Sequence, residues 1–187
     1  MDARPCRPAA RLRAVAATTM LACAAAPALA DEAASLRGEA DVVLNAVRAR
    51  IAACDGSPRM TAAAGRSDTP LAAERPALRW SPRLAQAAAR HAGSMARSRV
   101  FDHVGSDGST VRERVSATGY RWAVIGENLA AGHADLADAI DGWLASASHC
   151  EALLDPRFTE FGLARTESDS PNDAYGVYWT LVLGRPR

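Results

Sequence analysis

The sequence predicts a layered α+β domain, with helices first and a strand pair last. Three observations carry this. Apolar residues recur at helical spacing through the first half and middle of the chain. Two β-rich runs lie close together at the C-terminal end, the second full of Val, Tyr, Trp and Thr. Strands and helices do not alternate as they do in a parallel α/β sheet. With 187 residues, 49% of them hydrophobic, the chain is long enough for one domain with a real core. All 22 basic residues are Arg and the net charge is +1, which argues against bulk nucleic-acid binding.

Residues 33–53 predict a first helix. Leu36, Val43, Val47 and Ile51 share one face, with Arg48 and Arg50 outside it. Residues 55–79 carry Gly56, Pro58, Gly65, Pro70 and Pro76 and read as a surface loop. Ser81-Pro82 then marks a helix start, a hydroxyl to cap free N–H groups followed by Pro at the first helical position. That helix runs to Ser98, with Leu84, Ala88, His91 and Met95 along one stripe. Residues 104–109 form a Gly-rich turn, and a short helix over 110–117 stops at Gly119. Residues 120–131, with Trp122, Val124, Ile125 and Leu129, include a strand. Asp135 can cap a helix over 136–146. A further helical turn over 149–154 ends before Pro156. Residues 158–166 and 174–183 read as two strands joined by a polar turn.

Residues 1–30 read as a leader. Arg4, Arg7, Arg11 and Arg13 precede an Ala-rich apolar run, and Ala28-Leu29-Ala30 offers small residues for cleavage before Asp31. The run is too short to span a bilayer comfortably, and no second one follows. The expected destination is secreted or periplasmic, with a single domain over 31–187. The competing reading is a lipoprotein with Cys23 as the lipidated residue, although Met20-Leu21-Ala22 is a poor version of the required flank. Cleavage removes Cys6 and Cys23 and leaves Cys54 and Cys150. In an oxidising compartment that pair predicts a disulfide, with two buried thiols as the alternative.

Several segments fit one pattern in order. They are Leu78-Arg79-Trp80 with Leu84-Ala85 and His91; Met95-Ala96 with Phe101-Asp102-His103; Asp107-Gly108-Ser109; Arg114-Val115; Gly119-Tyr120; Gly126-Glu127-Asn128-Leu129-Ala130; Trp143 and Ser146; His149-Cys150; and Tyr178-Trp179-Thr180. The ensemble resembles the bacterial branch of the CAP superfamily (cysteine-rich secretory, antigen 5 and pathogenesis-related proteins; SCP-like domain) over about residues 40–184. The resemblance implies an α-β-α sandwich, with a small antiparallel sheet between helical layers, and export. It also implies a cleft holding two His and two acidic side chains. His103 falls on the first His and Glu127 on the first Glu. The second Glu falls on Ser146, the second His on Tyr178, and the Gln of the last strand on Leu181. Half of the set is therefore missing by position. Bacterial members carry a His where His149 stands, although the usual Pro-Gly before it is Ala147-Ser148 here.

His103, Glu127 and His149 are thus the candidate catalytic and metal-ligating residues. Two imidazoles and a carboxylate make a zinc set with an open position for water. Zinc or another divalent metal is the one cofactor the sequence suggests. Glu127 could instead be a general base, or it could pair with its neighbours beside Asn128 to hold a loop. His91 reads as a core or cleft-wall histidine and His133 as solvated. Trp80, Trp122, Trp143 and Trp179 read as core anchors, and the Arg residues as mostly solvated. Asp107-Gly108-Ser109 is turn chemistry. No Gly-x-Ser-x-Gly elbow is present, which argues against a serine hydrolase.

Three functions follow from these residues. The first is an exported binding module for a small molecule, lipid or cell-envelope component, metal-assisted or not. The second is a hydrolase using His103, Glu127 and His149. The third is a structural envelope protein whose cleft only maintains the fold. No nucleic-acid partner is expected, and no transmembrane segment after leader removal.

Overall fold

The structure is a computed structural model that describes residues 25–51, 53–54 and 75–187, with side chains from Ala33 onward. Most of the expected leader, with Cys6 and Cys23, and residues 55–74 of the expected loop lie outside the described residues. The first helix, α1 (Ala25–Arg50), begins before the expected cleavage point and ends three residues earlier than the periodicity suggests. Ala40 and Leu44 in the helix, and Ile51 just past its end, are fully buried.

Arg48, expected outside, is only 2% exposed. It lies four residues after Leu44, on the same stripe. Its stem packs inward while its guanidinium donates to the carbonyls of Leu153 at 2.6 Å, Asp155 and Pro76 at 3.1 Å and Phe158 at 3.4 Å. Burial, and then the charge of Arg75, lower its pKa to about 10.

Next comes β1 (Arg79–Trp80), a two-residue strand that begins at the last residue of the expected loop. Two residues carry no periodicity, so pairing alone makes it a strand. Its chain donates from Arg79 N–H to Thr159 O and from Ser81 N–H to Phe161 O, parallel to β3 (Glu160–Glu167). α2 (Pro82–Ser98) follows with Pro82 at its first position, as expected. The Ser81 hydroxyl makes no capping bond. α3 (Val111–Ala117) opens with a full capping box between Thr110 and Glu113, and Gly119 takes the left-handed conformation at φ 76°.

The long strand β2 (Trp122–Ala131) precedes α4 (Leu136–Ala145), which Asp135 caps through the N–H of Asp138 at 2.9 Å. The expected helical turn is a complete helix, α5 (Ala147–Leu154). A disulfide joins Cys54, just past α1, to Cys150 on α5, with Cα atoms 5.7 Å apart. β4 (Val177–Pro186) closes the chain.

The sheet order is β1-β3-β4-β2, antiparallel except for the β1–β3 pair. Strand alternation divides the side chains between two helical layers. Phe161, Leu163, Trp179, Leu181 and Leu183 pack with Leu44, Ile140 and Trp143 on the side of α1, α4 and α5. Ala164 and Val182 pack with Leu84, Ala88 and Val115 on the side of α2 and α3. Contact with α2 is closest at Gly162, where any Cβ would overlap the backbone of Leu84 and Ala85. Only two of the four tryptophans, Trp143 and Trp179, are core anchors. Trp80 and Trp122 stay half-exposed at the rim.

Candidate functional site

Residues on β2 alternate between the layers. Leu129 packs with Met95 and Tyr178 on the α2 side, while Ala130 packs with Trp143 on the other. Glu127, two residues before Leu129, therefore faces α2 and α3. Asn128 faces α5 and donates to the carbonyl of His149 at 2.9 Å.

The chain after α2 turns back through Arg99, a left-handed residue at φ 58° whose N–H returns to Met95 O. Asp102 then accepts from the N–H of Val104, and Asp107 from that of Ser109. These short side-chain turns fix the loop that carries His103 over the end of Glu127.

Four side chains meet there. The Glu127 side chain is 2% exposed, and its Oε1 accepts from His103 Nδ1 at 2.9 Å. Arg114, 5% exposed, donates to Glu127 Oε2 at 2.8 Å and Oε1 at 3.0 Å. The same guanidinium also donates to the carbonyls of His103 at 3.0 Å and of Ser109. It therefore ties the carboxylate to both ends of the loop. His91, fully buried, lies 3.9 Å from Glu127 and donates from Nε2 to Asp102 O at 2.9 Å. A carbonyl can only accept, so Nε2 carries the proton, and the buried Nδ1 has no partner among the described residues.

The three imidazoles titrate in different directions. The hydrogen bond that His103 donates to Glu127 raises its pKa, against opposing effects of burial and Arg114. Burial lowers that of His91 and keeps it neutral. Burial, and then the charge of His103, lower that of His149. His103 is the most accessible of the three, with its side chain 57% exposed, while His149 is partly buried.

The expected trio is thus assembled in part. His103 and Glu127 are bonded to one another. His149 feels the charge of His103 but makes no side-chain hydrogen bond to either residue among those described. Ser146 begins α5, with its hydroxyl 3.5 Å from that of Ser148. Tyr178 is buried and donates to Asp173, and Leu181 belongs to the opposite core layer.

Two participants stand outside the expected trio. His91, expected as a core or cleft-wall histidine, is fully buried and lines the site. Arg114, expected among the mostly solvated arginines, is buried. Its signal was its position. Val111, Val115 and Thr118 form a helical stripe, and Arg114 stands on its inward side.

Among the described residues, no three His, Cys, Asp or Glu side chains converge as a metal-holding group. The donor set gives the reason. A cation at Glu127 would stand beside the Arg114 guanidinium, already within 3.0 Å of both carboxylate oxygens. As arranged, these donors do not fit a zinc ion, which needs ligands near 2.0–2.2 Å and no competing cation.

Comparison with known proteins agrees with the architecture. A protein of Bacillus subtilis (strain 168) described as "Uncharacterized membrane protein YlbC" is 30% identical over 86 residues. The match covers 46% of this chain, which spans only a quarter of that relative. The crystal structure of an extracellular protein containing a SCP domain from Bacillus anthracis superposes with a TM-score of 0.52 at 28% identity, over 60% of this chain and 35% of the other. An outer surface protein from Borrelia burgdorferi shares the fold, with a TM-score of 0.52 at 23% identity, over 59% of this chain and 78% of the other. Residues 43–183 match the CAP family of cysteine-rich secretory proteins, and the chain belongs to that family.

Proposed function

We propose that this domain is an extracellular binding module. Its ligand would be an envelope component or small molecule that carries an acidic group beside an apolar part. The single observation behind this reading is His103, an exposed imidazole held from beneath by a buried carboxylate. With Nδ1 engaged, Nε2 is the nitrogen left to meet a ligand. A raised pKa keeps the ring cationic closer to neutral pH than a free histidine, which favours an anionic group. The apolar requirement comes from the rim. Val100, Phe101 and Val104 flank His103 and are exposed, and the ring of Phe101 lies 5.8 Å from that of Tyr175, also exposed.

A short-chain phosphatidic acid, used below its micelle concentration, is a suitable probe, with the corresponding phosphatidylcholine as control. The expected result is a shift of the His103 ring resonances by the anionic probe and about tenfold weaker binding in His103→Ala, the loss of one charge-assisted contact. Equal affinity in wild type and variant, or no change at His103, would overturn the reading.

One observation favours a second reading, a hydrolase using His103, Glu127 and His149, with cationic His103 as acid, Glu127 as its orienting partner and neutral His149 as base. Neighbouring His103 and His149 are displaced in opposite directions, the pattern of an acid–base pair. Turnover of an ester or amide substrate that disappears in His103→Ala would favour it over binding alone.

A further inference from the structure

The opposite edge of the sheet offers a separate surface. Ser81 N–H bonds to Phe161 O, and Ser168 N–H bonds to Gly176 O across the β3–β4 turn. These two bonds fix the alternation along β3. Even-numbered residues face β4, and odd-numbered residues turn their N–H and C=O groups to the β1 side. β1 stops at Trp80. Beyond it, Leu163 and Arg165 present backbone donors and acceptors with no partner among the described residues. A groove of about 610 Å³ runs along this open stretch, walled by Leu36 and Trp80 on one side and by Ala85 and Ala89 of α2 on the other.

We propose that this groove binds an extended polypeptide segment, which adds a strand to the open edge of β3. The occupant is identified by the edge itself. Alternating N–H and C=O groups at two-residue spacing are matched in register by the backbone of another strand, whereas a lipid chain carries neither donor nor acceptor along its length. From Leu163 to Glu167 the edge accommodates about five residues at ~3.3 Å each. A second copy of this domain does not fit as occupant through the same edge. Its β3 carries helices on both faces, and those would meet α1 and α2 before the strands could pair. The segment must therefore be a single strand without layers of its own. Its small side chains would face Ala85 and Ala89, and its larger ones Leu36 and Trp80.

A suitable probe is a capped pentapeptide of alternating Val and Ala, flanked by lysines for solubility. Added to the protein, it is expected to slow amide hydrogen exchange at Leu163 and Arg165 by at least about tenfold, the effect of one new backbone hydrogen bond. Ala89→Trp fills the groove from an exposed helix position and should abolish both binding and protection with its melting temperature unchanged. His103→Ala should leave both intact, which separates this surface from the imidazole site. The proposal is overturned by no binding at millimolar peptide, or by binding without protection of those two amides. It is also overturned if a fully backbone-N-methylated peptide or a medium-chain fatty acid occupies the groove as well as the parent peptide.

Discussion

Replacing Glu127 by Gln tests the electrostatic account of the site most directly. The carboxylate is 2% exposed and its partner Arg114 is 5% exposed, so both charges are held away from water. Removing one member of such a pair leaves the other buried without a countercharge, which costs about 3–5 kcal/mol. Gln retains one acceptor oxygen for either Arg114 or His103, which places the expected loss near the lower end, about 3 kcal/mol. At roughly 2–4 °C per kcal/mol for a domain of this size, the melting temperature should fall by about 6–12 °C. His103 loses the group that raises its pKa and should titrate lower, as read from its ring protons by NMR. The double variant Glu127→Leu with Arg114→Met should recover much of the lost stability, because an apolar pair leaves no buried charge. If Glu127→Gln melts within about 2 °C of wild type and His103 titrates unchanged, the carboxylate is not the keystone described here.

Three further outcomes are expected. The folded pKa of His103 is raised, so its contribution to stability is complete below about pH 6.5 and is lost as pH rises through the folded value. Those of His91 and His149 are lowered, so their contributions are complete above about pH 6.5 and are lost as pH falls through their folded values. Chemical denaturation across pH should therefore peak near the ordinary histidine range, with the alkaline limb flattened in His103→Gln. Gly162→Ala drives a methyl into the backbone of α2 and should cost at least about 3 kcal/mol or prevent folding, read by circular dichroism on heating. Cys54→Ser with Cys150→Ser opens a closure of 96 residues. By chain entropy this lowers stability by up to about 4–5 kcal/mol, and a urea midpoint equal to wild type would refute that.

The parts of the fold that could be read in advance are those fixed by local rules. Pro82 at a helix start, Gly119 at a helix stop and Asp135 as a cap each act through the neighbouring backbone, and each holds. β1 could not be read, because two residues become a strand only through Phe161 and Thr159, some eighty positions away. The site divides the same way. Similarity to a family singled out His103 and Glu127. The burial of Arg114 and Arg48 escaped detection because an arginine on a helix looks alike whether its fork meets water or carbonyls. Only the tertiary structure supplies the carbonyls of Ser109 and His103 for one and of Leu153 and Phe158 for the other.

Arg114 also gives a physical account of a cleft with half of the expected acid–histidine set. Glu127 and Arg114 together form a buried pair of opposite charges, and His91 is held neutral beside them. No second carboxylate is needed to balance a buried cation, and Ser146 and Tyr178 are engaged elsewhere. Proton exchange at the site is thereby concentrated on His103, whose ring reaches solvent while its anchor does not. A group that gains and loses charge at the surface over a fixed buried pair can answer to a ligand's charge without disturbing the core. The same arrangement explains why the metal and binding readings diverge. A metal ion at Glu127 would stand beside the Arg114 guanidinium, whereas an anionic ligand needs only the exposed nitrogen that remains.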